Sequence, residues 1–412
     1  MPAKNTAFLS AGLPLALWVF CAFVPGTALA QQSAAGEARD SVPQRDLMDI
    51  LSRVLHGKPK IGDTIHVPPK VILTILPSIS ANPTAGFIFG VSGNAVTRLG
   101  SDEATNLSTV SASVNYTTKK QFNILLRSNV FTSGNAWKLE GDWRYLDTNQ
   151  PTYGLGPALP EELKTPMDYN LLRFYETVYR EVVPNLLVGL GYHLDHYFEI
   201  VDHNPNPATS PFGQYYGGQP VSTNTASGLS LNVLSDTRDN PINTRHGFYA
   251  RGSYRVFPTW LGSDDSWQSI ETEIRAYART ALPGRGILGF WGLTWFTHGQ
   301  PPYFGLPAIG WDYNNRSGRG YAQGRIRAGD LVYTEAEYRV TLTRNGLWGA
   351  VLFANLTSVS EGAGGRLQAP DAGVGAGLRL KLNKHSDTNI TVDFGFGVQG
   401  SNGVFFGSGE TF

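Results

Sequence analysis

From residue 70 onward the chain alternates apolar and polar residues with a period of two, in runs far longer than ordinary strands. Ile270, Thr272, Ile274, Ala276 and Ala278 alternate with Glu271, Glu273, Arg275, Tyr277 and Arg279. Val332, Thr334, Ala336, Tyr338 and Val340 alternate with Tyr333, Glu335, Glu337, Arg339 and Thr341. Ile390, Val392, Phe394 and Phe396 do the same with Thr391, Asp393, Gly395 and Gly397. Successive side chains of a strand point to opposite faces, so each run has one face without charge. A soluble sandwich can bury such a face inside. Length argues otherwise: these runs reach roughly 10–15 residues, whereas soluble strands centre on about 5–6 and a tilted membrane-crossing strand needs about 9–11. The uncharged faces are expected to meet lipid and the charged faces to line a lumen.

Sixteen runs can be marked, at 70–80, 84–98, 105–118, 121–132, 136–147, 168–181, 185–200, 225–236, 246–258, 266–281, 285–298, 328–343, 346–358, 372–383, 388–399 and 402–412. An even number suits a closed antiparallel barrel. The links add a second pattern. Those after even-numbered runs are short, as at Pro184-Asn185 and Arg344-Asn-Gly346, except for a medium link after run 8. The longest follow runs 5, 7, 11 and 13. Short periplasmic turns and longer outer loops are the habit of outer-membrane barrels. The fold expected is all-β: a sixteen-stranded antiparallel transmembrane β-barrel over 70–412. Trp137, Trp143, Trp260, Trp267, Trp291, Trp295, Trp311 and Trp348 lie mostly near run ends, as interfacial girdles would; an aromatic-rich β core is the alternative.

Residues 1–30 read as an export signal. Lys4 precedes a largely apolar Leu9–Val24, and Ala28-Leu29-Ala30 is a small-x-small cleavage pattern. This implies the Sec route and the cell outer membrane. Cys21, the only cysteine, falls inside this segment, so the mature chain has no disulfide or thiolate site. Residues 31–69 form a periplasmic segment. Within it Leu47, Ile50, Leu51, Val54 and Leu55 have helical spacing, ended by Gly57 and Pro59. This short amphipathic helix (46–57) either packs on the edge of the barrel or plugs it. Lys and Arg balance Asp and Glu at 33 each, which points away from nucleic acid. Charged residues are only 16% while glycines number 47. No run after residue 30 approaches the about 20 apolar residues of a spanning helix.

Two connections stand out. Between runs 11 and 12, Arg316, Arg319, Arg325 and Arg327 alternate with Gly318, Gly320, Gly324 and Gly329. Glycine permits close approach, and arginine offers a planar donor fork for carboxylates. Such a loop is expected to be tucked in and pinned. Between runs 8 and 9, Asp236-Thr-Arg-Asp-Asn-Pro241 favours turn initiation, with Arg238 answering Asp236 or Asp239.

Together these stretches carry a resemblance. Asp236-x-Arg238-Asp239-Asn-Pro241, then Arg319-Gly320-Tyr321 some way downstream, then Glu335-Ala-Glu337-Tyr-Arg339, resembles the BamA/TamA superfamily, the bacterial surface antigen barrel domain. The resemblance covers about residues 70–412. It implies a sixteen-stranded barrel whose sixth outer loop folds into the lumen. It also implies that the loop arginine, matched here by Arg319, meets an acidic residue on strand 13. That wall motif reads Phe353-Ala-Asn355-Leu-Thr357, so Asn355 stands where the acid is expected. An arginine–asparagine hydrogen bond can replace the ion pair, or Glu335, Glu337 or Asp393 can supply the carboxylate instead. Relatives usually carry POTRA domains before the barrel, and 31–69 is too short for one. Phe412 resembles the terminal aromatic used in barrel assembly, although Glu410 stands where a second aromatic is usual; an ordinary last strand is the plain alternative.

The resemblance implies a barrel that assists insertion or translocation of protein or lipid, through a weak seam between first and last strands. Pro77 in run 1 and Gly403, Gly407 and Gly409 in run 16 suit such a seam. Its partners would be outer-membrane lipids, nascent outer-membrane proteins or other assembly factors. The alternatives are a passive pore or structural barrel without a client and, with less support, a membrane-embedded hydrolase. No serine–histidine pair, phosphate-binding glycine loop or zinc helix motif marks catalytic, cofactor or metal chemistry. His193, Asp195 and Tyr197 share one face, where lumenal hydrogen bonding is the expected role. The inner faces mix signs, as in Lys138, Glu140, Asp142 and Arg144, which favours a lumen braced by ion pairs over a single-sign selective ring.

Overall fold

The computed structural model describes residues 43–56, 71–100, 105–281, 286–384 and 386–412. The export segment 1–30, with Cys21, and the greater part of 31–69 lie outside the described residues. Sixteen antiparallel strands close into one barrel in sequence order. They are β1 (Ile72–Asn82), β2 (Gly86–Thr97), β3 (Ser108–Thr117), β4 (Phe122–Phe131), β5 (Trp137–Asn149), β6 (Met167–Val183), β7 (Leu186–Asp202) and β8 (Asn224–Asp236). Then follow β9 (Gly247–Phe257), β10 (Trp267–Arg279), β11 (Ile287–Gly299), β12 (Asp330–Thr341), β13 (Trp348–Ser360), β14 (Asp371–Asn383), β15 (Thr388–Phe396) and β16 (Asn402–Ser408). The sixteen runs fall on the sixteen strands with ends displaced by a few residues. Among the described residues no helix is long and apolar enough to cross a membrane.

The two faces separate as the alternation requires. On β7 Leu190, on β13 Leu352 and on β15 Phe394 and Phe396 point outward and are exposed. Their neighbours His193, Asp195, Asn355 and Asp393 point inward and are buried. A closed barrel with this exterior has no unpaired edge to satisfy except at its seam. The tryptophans divide rather than forming one girdle. Trp137, Trp143, Trp260 and Trp348 are exposed, whereas Trp267, Trp291 and Trp295 are buried. The last three sit on the inward parity of β10 and β11, so run-end position misassigned them.

The seam is unlike every other strand pair. β1 pairs with β2 along its whole length, but with β16 at a single position, Ala81 opposite Phe406. Run 16 was expected to continue to 412, yet β16 stops at Ser408. Gly409 takes φ +78°, a left-handed conformation suited to glycine, and the following residues turn into the lumen. Parity supplies the reason. Val404 and Phe406 share register with the outward Phe394 and Val392, so a straight continuation would aim Glu410 outward, where a charge is costly.

Helix α1 (Leu47–His56) is capped by Asp46, whose Oδ1 accepts from Asp49 N at 2.7 Å. It docks at the short turns after β12 and β14: Arg45 N donates to Asn345 O at 2.9 Å, and Lys384 N donates to Asp46 Oδ2 at 2.9 Å. Lys384 Nζ also meets Asp49 at 2.8 Å. These contacts place the start of the helix on the barrel rim. At the other mouth, a short helix α2 (Pro211–Tyr215) buries Phe212 against Tyr303 and Phe304. The loop after β7 thus packs on the base of the loop after β11.

Candidate functional site: the lumenal loop and its ionic ring

The connection after β11 runs from residue 300 to 329 and folds into the barrel. Its tip is shaped by Asp312, whose carboxylate accepts from Ser317 N at 2.8 Å, Ser317 Oγ at 2.6 Å and Arg316 N at 3.1 Å. The barrel wall then grips the backbone. Arg127 donates to Tyr313 O at 2.9 Å, Gln150 to Gln323 O at 2.7 Å, and Gln323 N donates to Thr84 Oγ1 at 2.7 Å.

The four loop arginines divide the work. Arg316 donates to the carbonyls of Ser408 and Glu410, both at 3.3 Å. Arg325 stacks on Tyr153 at 3.8 Å and reaches Glu161 at 3.0 Å and Leu159 O at 2.6 Å. Arg327 donates to Tyr303 O at 3.1 Å and Leu306 O at 3.3 Å. Arg319 goes deepest. Its guanidinium meets Glu335, Glu337 at 2.5 Å and Asp393 at 3.0 Å, over the Phe353 ring at 3.8 Å. Arg319 and its three carboxylate partners are all buried. Asn355 does not receive the guanidinium. Its Nδ2 donates to Arg319 O at 2.9 Å, so strand 13 holds the loop backbone while β12 and β15 supply the charge. The pairing that the resemblance implies for the wall motif does not occur here: an amide cannot be an ion partner, and the carboxylates named as substitutes stand one and two strands away.

The two residues after Arg319 need their identities. Gly320 has φ +105°, and an added Cβ would lie 2.9 Å from the Phe396 carbonyl carbon. Tyr321 is buried; its hydroxyl donates to Ala372 O at 2.6 Å and accepts from Val398 N at 3.1 Å.

The carboxylates around Arg319 are themselves shared. Glu337 also pairs with Arg339, and Asp393 with Arg379 at 2.5 Å. Arg379 and Arg339 then meet on Glu410, at 2.7 Å and 3.9 Å. Arg319, Glu337, Arg339, Glu410, Arg379 and Asp393 therefore form a closed ring of alternating charge, joining the loop, β12, β14, β15 and the segment after β16. Arg339 also donates to Phe412 O at 2.5 Å. The Phe412 ring packs 5.4 Å from Trp291 and 6.1 Å from Tyr277. Sequence reasoning missed Glu410 and Phe412 as lumenal residues. The available signal was the wrong parity of Glu410 next to a glycine.

The turn motif sits at the barrel end that carries the β14–β15 turn. Asp236 and Arg238 form a forked pair at 2.9 and 2.7 Å. Asp239 Oδ1 accepts from Arg245 N at 2.9 Å and His246 N at 3.2 Å. Partial burial alone would raise the Asp239 carboxyl, but these backbone donors outweigh it and hold the group below its ordinary value. Pro241 follows Asn240, whose Oδ1 accepts from Ile242 N at 2.8 Å. The turn then reaches across the barrel: Arg245 pairs with Asp387 at 2.7 Å, and Arg339 donates to Thr244 O at 3.3 Å. Local spacing carries no trace of that crossing.

Elsewhere the lumen is braced by mixed-sign pairs. Lys138 and Arg251 share Glu140 at 2.6 and 3.1 Å, Arg144 pairs with Asp142 at 2.5 Å, and Arg173 with Asp195 at 2.7 Å. His193 Nε2 bonds Ser230 Oγ at 2.8 Å. Among the described residues no group of three or more His, Cys, Asp or Glu side chains is placed to hold a metal.

No family model and no curated relative matches this sequence. Solved structures do match. BamA from Haemophilus ducreyi lacking POTRA domains 1–3 aligns over 82% of this chain and 70% of its own, at 12% identity and a TM-score of 0.56. CdiB from Escherichia coli aligns over 83% and 63%, at 9% identity and a TM-score of 0.51. CdiB from Acinetobacter baumannii aligns over 82% and 65%, at 12% identity and a TM-score of 0.49. The chain thus spans less than two thirds of either CdiB. In fold, the chain is a closed sixteen-stranded antiparallel β-barrel of the BamA type.

Proposed function

We propose that this chain is a non-enzymatic barrel of the outer membrane, exported through the Sec route on residues 1–30. It would assist insertion or translocation of protein or lipid there. One observation carries the reading. In a barrel otherwise paired strand to strand, closure rests on Ala81 opposite Phe406. An edge with so few ladder bonds exposes N–H and C=O groups that another strand can satisfy. Pro77 weakens that edge further by removing a donor. Arg319, Gly320 and Tyr321, with Glu335, Glu337 and Asn355, serve as the lock that keeps the loop inside, and the Asp236–Pro241 turn braces the periplasmic mouth. The partners are outer-membrane lipids and nascent outer-membrane proteins, or other assembly factors that deliver them.

A photo-crosslinking residue at Thr74 or Leu76 of β1 tests this. Adducts with nascent outer-membrane barrel proteins are expected in growing cells. Their absence, even when other assembly factors are depleted, would sink the reading. The mixed-sign bracing of the lumen favours the second reading, a structural barrel without a client, which is the outcome such an absence would support.

A further inference from the structure

Residues Gly409–Phe412 follow the strand that forms the seam, and they are bound on three sides. Glu410 meets Arg379 and Arg339, and accepts from Asn389 Nδ2 at 2.6 Å. Phe412 fills an aromatic niche of Trp291 and Tyr277. Arg316, from the loop, holds the carbonyls of Ser408 and Glu410. The other end of the same ionic ring is Arg319. We propose that the ring makes the loop and this tail one device: the loop leaving the lumen releases the tail, and release of the tail loosens the loop.

The physics lies in how the carboxylates are shared. Each ring carboxylate divides itself between two arginines. Removing Arg319 leaves Glu337 wholly to Arg339 and Asp393 wholly to Arg379. Both arginines are then drawn away from Glu410, and the tail loses its hold. Removing Glu410 works in the opposite sense around the ring. Arg339 and Arg379 close on Glu337 and Asp393 and compete with Arg319. Buried ion pairs that lose a partner are strongly destabilised, so neither end can leave without cost to the other. Coupling between two binding events must be reciprocal. Because β16 turns inward at Gly409, the tail also decides where β16 ends beside β1. The consequence for the seam rests on the function proposed above; the coupling itself does not.

The experiment uses the full chain in lipid nanodiscs, in a Cys21→Ser background. Thr411 is buried in the tail, and Thr411→Cys reports tail release through its rate of labelling by a maleimide. Amide exchange at Gln323, whose N donates to Thr84 Oγ1 outside the loop at 2.7 Å, reports whether the loop is seated. Glu410→Ala should speed tail labelling by roughly 100-fold and also raise exchange in the loop. Arg319→Ala should raise loop exchange and, with the tail sequence untouched, speed Thr411→Cys labelling as well. Glu410→Gln keeps the shape and, if the alanine variant fails to fold, gives the same pattern at smaller amplitude. The coupling is overturned if Arg319→Ala frees the loop while tail labelling stays at its starting rate. It is likewise overturned if neither Glu410 variant changes loop exchange. Adducts from β1 bear only on the insertion function, so failure of that function and failure of the coupling give different results.

Discussion

Arg319→Ala is the perturbation that asks most of the site. The guanidinium touches three buried carboxylates, Glu335, Glu337 and Asp393, and lies over Phe353. Glu337 and Asp393 keep a second arginine, whereas Glu335 retains the Tyr333 hydroxyl. The substitution therefore strands at least one buried charge fully and two in part. Removing one member of a buried pair costs about 3–5 kcal/mol. At about 1.4 kcal/mol per tenfold, loop opening should become roughly 100- to 3,000-fold more frequent. The Gln323 amide donates to Thr84 Oγ1, outside the loop, only while the loop is seated, so hydrogen exchange followed by mass spectrometry over residues 300–329 measures the change. Arg319→Lys supplies a point charge without the fork and should fall between wild type and alanine. If exchange in Arg319→Ala matched wild type while the strands stayed protected, the carboxylate cluster would not hold the loop.

Further expectations follow from single contacts. Gly320→Ala brings a Cβ to 2.9 Å from the Phe396 backbone at φ +105°, so the loop should lose protection in exchange although every charge remains. Asp239 titrates below the ordinary carboxylate value because Arg245 and His246 donate to it. Its contribution is present above the unfolded pKa and lost as pH falls through the folded one, so exchange at Arg245 and His246 should rise only below about pH 4; Asp239→Asn should flatten that dependence. Leu352→Arg places a charge on the outward face of β13, and should cost about 2–4 kcal/mol if the site is near the bilayer midplane. Urea titration in lipid vesicles reads that loss, and an unchanged midpoint would argue that this face does not meet lipid.

The barrel was legible because its signal is repeated sixteen times. Period-two alternation survives errors in any one run, and the alternation of short and long links carries the same barrel signal independently. Arg319 was legible for a related reason: arginine beside glycine in a long outer loop has few uses other than a buried pair. Its partners were harder. Strand identity and inward parity narrowed the candidates to Glu335, Glu337 and Asp393, but which strands face the loop tip is set by the barrel's curvature. Asn355 shows the limit of motif matching, since the position is occupied and in contact yet bonds a carbonyl instead of a guanidinium. Glu410 shows a different limit. Read as a continuing strand it seemed out of place, and only the turn at Gly409 gives it partners across the lumen. The reach of the 236–247 turn to Asp387 depends on closure itself, which no local stretch encodes.

A sparse seam that works on client strands must be free to open. Cysteines replacing Ala81 and Phe406, with Cys21→Ser, would staple the one pair that closes it. The most direct measurement is the rate at which a urea-unfolded outer-membrane barrel protein folds into vesicles containing this chain, followed by its electrophoretic mobility. The reduced protein should accelerate folding over empty vesicles, and oxidation should abolish the acceleration until reductant restores it. Equal rates for oxidised and reduced protein, or no acceleration by either, would contradict it.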